Sequence, residues 1–372
     1  MSLDRDDLAA ATRPLPRARA MPAGFYTDPA IFAAERARLF LTHWFFLTRA
    51  ETLPAPGDYR AFDSPGGPIV LIRGGDGQLR CFANVCRHRG SILLEGAGNT
   101  GGRIMCPYHA WSYLTDGRLY GCPDMADAEG FDRIETGLVA LDLDQWEGFV
   151  FARFTREGPT LREHLGDFPD RMASHRLGDM RCSWTISLDV AANWKLILEN
   201  AMETYHTGVV HRATVGAQVS QSPATRGDWL CIQVIAGRSI ATLGGDLPPF
   251  PPIDGLDAEA RKGTYFTVVL PTVQFAVAQD CLWWLNTRPI SEGRTMLELG
   301  GCFPKDRLAL PDFAVRAAPY CDRWDRVARE DVGILERQQR GLASVLYRPG
   351  PLSGRDDMVQ ALGLWVLDRL GL

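Results

Sequence analysis

The chain has 372 residues, nearly half of them apolar and about a quarter charged, enough to bury a large core and form a globular protein of about two domains. With 40 basic against 45 acidic residues the formal charge is −5, which argues against an electrostatic nucleic-acid binder and for a small or neutral partner. The longest apolar stretches, 39–47 and 268–278, fall short of the ~20 residues that a membrane-spanning helix needs. The N-terminal segment carries basic residues with no apolar region behind them and does not read as a secretory signal. The expected location is the cytoplasm, where nine cysteines would stay as buried thiols or metal ligands rather than disulfides.

In chain order, a Pro-rich start leads into 28–43 (DPAIFAAERARLFLTH), where Ile31, Phe32, Leu39 and Phe40 recur at helical spacing and predict an amphipathic helix. From Gly57 to about Phe154 short β-rich runs (PIVLIR, LRCFANV, GRIMCP, GFVFARF) are broken by Gly-Gly, Asp-Gly and Pro, as in a small antiparallel domain. After Thr155 the pattern is mixed. A helix is expected over 193–206, strands near 229–234, 264–278, 283–288 and 295–303, and long helices over about 311–343 and 355–370. The Gly/Pro-rich stretch 244–255 reads as a loop. The expected class is α+β: a lead-in helix in 1–43 packed on the larger domain, a small antiparallel β domain over 44–155, and a second domain with an antiparallel sheet and helices over 156–372.

Cys86-Arg87-His88 and, after seventeen intervening residues, Cys106-Pro107-Tyr108-His109 form two tight loops, each offering one thiolate and one imidazole. A [2Fe–2S] centre with two Cys on one iron and two His on the other needs this inventory. A structural zinc site has the same four ligand types, but zinc fingers group their cysteines and histidines separately, whereas here the types alternate. Gly90 and Gly102 supply flexibility beside each pair.

These loops, extended to Cys86–Gly90 and Cys106–Trp111, resemble the cluster motif of the Rieske ring-hydroxylating oxygenase α-subunit family. The resemblance runs over nearly the whole chain. It implies a small Rieske domain plus a helix-grip (START-like) catalytic domain, with Cys86, His88, Cys106 and His109 holding the cluster.

A second constellation follows in 193–206 (NWKLILENAMETYH) and His211. Helical spacing puts Glu199, Glu203 and His206 on one face, and His211 arrives after the expected break at Gly208. Two histidines and a distant carboxylate make a facial triad that leaves positions on Fe(II) open. Composition leaves the carboxylate open among Asp322, Asp325, Glu330, Asp331 and Glu336. The run 330–342 resembles the Glu-Asp…Glu…Gln-x-Gly element of choline-, betaine- and carnitine-type members, which implies Asp331. The resemblance also gives Glu203 a catalytic-relay role, bridging His206 to a cluster histidine of a neighbouring subunit. Most members have Asp there, so the bridge is one methylene longer.

Trp283 and Trp284, with Tyr265, Phe266 and Phe275 on adjoining strand text, are candidates for pocket walls, as is Tyr205 beside His206. Aromatic faces attract quaternary ammonium groups, although such residues pack equally well as core. No Gly-rich dinucleotide fingerprint lies between a strand and a helix, so NAD(P)H electrons would arrive through a separate flavin/iron–sulfur reductase. The resemblance implies a homotrimer that takes O2 and a small molecule. The expected reaction is oxidation of an N-methylated or quaternary-ammonium compound; hydroxylation of an aromatic ring or another unactivated C–H bond is the alternative.

Overall fold

The computed structural model describes residues 3–243 and 248–372. The first part of the expected 244–255 loop lies outside the described residues; the remainder carries no helix or strand. Two compact units emerge, one of residues 40–158, the other of residues up to Leu39 together with 159–372. Among the described residues no helix is long and apolar enough to cross a membrane.

The smaller unit is all antiparallel. Its four-stranded sheet runs in the order Leu79–Ala83, Ile69–Arg73, Asp58–Phe62, Ala97–Asn99, beside two three-stranded sheets. The run PIVLIR shows why one strand lies at the centre. Side chains alternate across a strand, and here Val70 and Ile72 enter one core with Phe82, Trp111 and Tyr113. Ile69 and Leu71 enter the other, with Phe45, Leu47 and Val150. A strand buried on both faces must be apolar at every position.

The larger unit is built on a seven-stranded antiparallel sheet, ordered Met180–Val190, Arg294–Pro304, Leu282–Ser291, Val273–Val277, Gly263–Val269, Trp229–Ile235, Ser220–Gln221. The class is α+β, as expected, with three local corrections. The stretch 264–278 is a hairpin, its two strands separated by Leu270-Pro271-Thr272. The strand Met180–Val190 was not expected from the sequence. The lead-in region is a short helix, Pro29–Glu35, continued by one π-turn over Arg36–Phe40; Asp28 caps it by accepting the Ala30 N–H (2.7 Å).

Glu35 ends that short helix and is fully buried. It accepts the indole N–H of Trp194 (2.8 Å) and pairs with the equally buried Lys195. Burial pulls the Lys195 pKa down while Glu35 opposes the shift. Removing either partner alone would strand a charge in the core.

The long helix Phe313–Leu342 lies against the sheet through a glycine. A Cβ on Gly301 would sit 1.9 Å from the Trp324 ring, and one on Gly300, facing the other side of the strand, 2.2 Å from Trp284. Only glycine allows both indoles to seat. Gly301→Ala is therefore expected to cost about 1–3 kcal/mol, lowering the melting temperature by several degrees. Gly333→Ala, in the same helix, where an added Cβ meets nothing within 4 Å, should instead stabilise the protein by about 0.5–1 kcal/mol and raise the melting temperature slightly. Thermal unfolding of the two variants beside the parent checks the opposite signs.

Candidate functional site

In the smaller unit the two Cys/His loops have the same backbone. The Gly90 N–H donates to the Cys86 carbonyl (3.0 Å) and the Ala110 N–H to that of Cys106 (3.2 Å). The Cys86 and Cys106 N–H groups donate to Ser91 (2.8 Å) and Trp111 (2.7 Å). Each loop turns through a left-handed residue, Gly90 at φ 79° and Ala110 at φ 54°. The second loop thus turns at an alanine, and Gly102 belongs to the preceding turn.

Cys86 and Cys106 are buried and the histidines half-buried, with the imidazole centroids 4.9 Å apart. Trp111 stacks on His88 (4.9 Å, 7°). The Tyr113 hydroxyl lies 3.3 Å from Cys86 Sγ and accepts the Arg87 N–H (2.9 Å). Burial pushes the Cys106 pKa up, but the N–H groups of Tyr108 and His109 and the neighbouring Cys86 thiol pull it below the ordinary value overall. His109 Nδ1 is buried with no hydrogen-bond partner. A Cys106 thiol poised to ionise, a second buried thiol and an orphaned imidazole nitrogen fit an iron–sulfur cluster.

In the larger unit the expected helix 193–206 stops at Ala201. Glu203 then accepts the N–H groups of Tyr205 and His206 (3.1 Å for the latter), bonds a continuous helix would have given to carbonyls. Gly208 is no break: it lies inside the short helix Thr207–Val210, where a Cβ would approach that of Ala217 to 3.3 Å. Glu199 and Glu203 do not form a solvated face. Glu199 is buried and accepts the Tyr26 hydroxyl (2.8 Å); burial lifts its pKa to about 7, against the Tyr26 hydrogen bond and Lys195.

The ligand atoms of His206, His211 and Asp331 lie within 4.8 Å of one another. Asp331 Oδ1 is 3.0 Å from His211 Nε2 and 3.7 Å from His206 Nε2, yet it is buried without an aligned hydrogen bond. Both rings are turned so that Nδ1 meets a carboxylate: His206 donates to Glu203, and His211 to Glu330 (2.7 Å). Each Nε2 is left free to ligate. Burial opposes a charged His211, but Asp331 and Glu330 raise its pKa overall.

The remaining acids of the long helix are engaged elsewhere. Asp322 and Asp325 pair with Arg326 (2.7 Å) and Arg329 (2.9 Å) on the exposed face, and Glu336 accepts the Ala191 N–H (3.1 Å). Glu330, one of the acids the composition left open, instead orients His211 and accepts the Thr214 hydroxyl (2.8 Å). The adjacent pair Glu330-Asp331 was the sequence signal for this second job.

A mainly apolar cavity opens beside these groups, lined among others by Ile232, Phe266, Trp283, Leu299 and Val327. The aromatic candidates divide. Trp283 lines it, and Phe275 borders it while its ring stacks on Phe168 (5.6 Å). Trp284 is absent from the lining and packs under Gly300; neighbouring strand residues point to opposite faces. Tyr205 is 62% exposed, with the Arg355 guanidinium over its ring (5.0 Å), and is not part of the lining. Arg323 lines the cavity and was not anticipated.

Residues 177–372 match the ring hydroxylating alpha subunit (catalytic domain), and residues 43–136 the Rieske [2Fe-2S] domain. The glycine betaine monooxygenase oxygenase subunit of Chromohalobacter salexigens is 28% identical, over 94% of this chain and 85% of that protein. The carnitine monooxygenase oxygenase subunit of Acinetobacter pittii is 35% identical over 51% of this chain and 52% of its own length. A crystal structure of the quaternary ammonium Rieske monooxygenase CntA with γ-butyrobetaine superposes with a TM-score of 0.79 at 26% identity, covering 95% of each chain. Naphthalene 1,2-dioxygenase with bound indole, at 21% identity and a TM-score of 0.74, shares the fold. The catalytic-domain match spans more than half the chain and the Rieske match covers the Cys/His loops of the same polypeptide: the chain belongs to the ring-hydroxylating α-subunit family and is an oxidoreductase, the oxygenase component of a Rieske-type system.

Proposed function

We propose that the chain hydroxylates an N-methyl group of a small quaternary-ammonium or N-methylated substrate. Cys86, His88, Cys106 and His109 would hold the [2Fe–2S] cluster, and His206, His211 and Asp331 the mononuclear Fe(II). The observation that carries the reading is the convergence of His206, His211 and Asp331 on the wall of an apolar cavity, where a bound substrate would lie beside the metal ligands. Support for the substrate class comes from the relatives named for glycine betaine and carnitine.

When bound, the two centres supply single electrons and O2 activation. Glu203 and Glu330 hold the Nδ1–H of each imidazole and so fix the ring tautomers. The apolar walls exclude water from the reacting carbon. One atom of O2 enters a C–H bond, and two electrons and two protons carry the other away as water. The resulting carbinolamine breaks its C–N bond to give formaldehyde and the demethylated amine. Electrons come from NAD(P)H through a separate reductase, and nine cysteines without a dense framework suit the reducing cytoplasm.

Iron analysis of the purified oxygenase should give about three irons per chain and a Rieske EPR signal on reduction. Asp331→Ala should drop the count to about two, with the cluster signal intact; loss of the third iron in Asp322→Ala or Asp325→Ala instead would overturn the ligand assignment. A panel of betaines, carnitine and aromatic acids, assayed with a reductase, should release formaldehyde from an N-methyl compound. Ring-hydroxylated product without formaldehyde would replace this reading with the aromatic one.

We further propose a homotrimer in which Glu203 links His206 to a cluster histidine of the next subunit. Co-expressed Cys86→Ser and Asp331→Ala chains, each inactive alone, should regain partial turnover in mixed oligomers. No recovery in verified mixed oligomers would reduce Glu203 to an orienting acid of its own chain.

A further inference from the structure

Four arginines are buried in the described structure: Arg49, Arg153, Arg307 and Arg323. Arg49 binds Glu51 (2.9 Å), Arg153 binds Asp142 (2.7 Å) and Arg307 donates to the Asp280 carbonyl (2.6 Å). Arg323, 4% exposed, differs: among the described residues no hydrogen bond or ion pair holds its guanidinium, and its Nε is buried without a partner. It lines the cavity, 4.6 Å above the Trp283 ring.

The surrounding charges do not resolve this imbalance. Asp331 and Glu330 act on Arg323 only through space. Glu330 is committed to His211 and Thr214, and Asp331 faces the two histidines. A buried guanidinium is costly to leave without an acceptor, and its planar fork matches a carboxylate with two parallel hydrogen bonds. Arg323 also covers one face of the Trp283 ring, so a substrate cation cannot use that face. Arg323, Val327 and Asp331 stand at i, i+4 and i+8 on the long helix, separating the first and last by about 12 Å along its axis.

We infer that Arg323 anchors a carboxylate, and that the cavity takes carboxylate-bearing substrates lying along the helix, the anion at Arg323 and the reacting carbon toward His206, His211 and Asp331. The inference rests on the oxygenase reading of this cavity and adds the group that orients the substrate.

Calorimetric binding to the anaerobic, oxidised holoenzyme tests it with two matched pairs: 4-(dimethylamino)butanoate against its primary amide, and 4-(dimethylamino)benzoate against its amide. In at least one pair the carboxylate should bind roughly ten- to hundredfold tighter. Arg323→Gln should bring the two members within about threefold by weakening the carboxylate alone, with an unchanged count of about three irons per chain confirming that both units are intact. Arg323→Lys, which keeps the charge and loses the fork, should retain a smaller preference. Equal binding of both members of both pairs to the parent protein, or an undiminished preference in Arg323→Gln, overturns the assignment. If the carboxylates win but no N-methyl compound releases formaldehyde, the demethylation reading falls and the Arg323 assignment stands. Formaldehyde released from carboxylates and amides of equal affinity overturns the anchor alone.

Discussion

The larger unit depends on how closely one helix approaches one sheet. Trp324 can seat against the strand Arg294–Pro304 only because residue 301 has no side chain, and this contact sets the long helix so that Arg323, Val327 and Asp331 face the cavity. The opposite face of that helix carries the exposed Asp322–Arg326 and Asp325–Arg329 pairs. Five acids within fifteen residues therefore have different fates, decided by which side of the cylinder each occupies.

Orientation of ligands, rather than their mere presence, is the second theme. His206 and His211 each have a carboxylate on the Nδ1 side, one from three residues upstream and one from the long helix. Two distant parts of the chain thus hold a single geometry. In the smaller unit, backbone hydrogen bonds do the same work: two loops of like length close on themselves and bring two thiols and two imidazoles together.

Much of this was readable before any coordinates. The Cys/His loops announce themselves by spacing, and the long helices by length and periodicity. Asp331 came from resemblance, since composition could not separate it from its neighbours; only the helix's rotation about its axis does. The strand Met180–Val190 carries a full period-two alternation, MRCSWTISLDV, the pattern of a half-buried strand, so it was legible in the sequence although the expected elements omit it. Helical spacing carried the expected helix past Ala201 because propensity cannot see that Glu203 caps its own downstream amides. Trp284 was grouped with Trp283 as though adjacency meant a shared pocket, whereas in a strand adjacency means opposite faces. Arg323 carried no motif at all; its meaning lies in the acceptors it lacks.

The buried pairing of Glu35 with Lys195 has a consequence for the order of events during synthesis. The two partners are separated by the entire smaller unit, residues 40–158, which is inserted in the chain between two parts of the larger one. At about 5–20 residues per second, the ribosome releases the smaller unit whole before Lys195 exists. The segment carrying Ile31 and Glu35 must wait on the order of ten seconds with its apolar face and its carboxylate uncommitted. A unit nested in this way can fold first and independently, while its host closes around a charge delivered late.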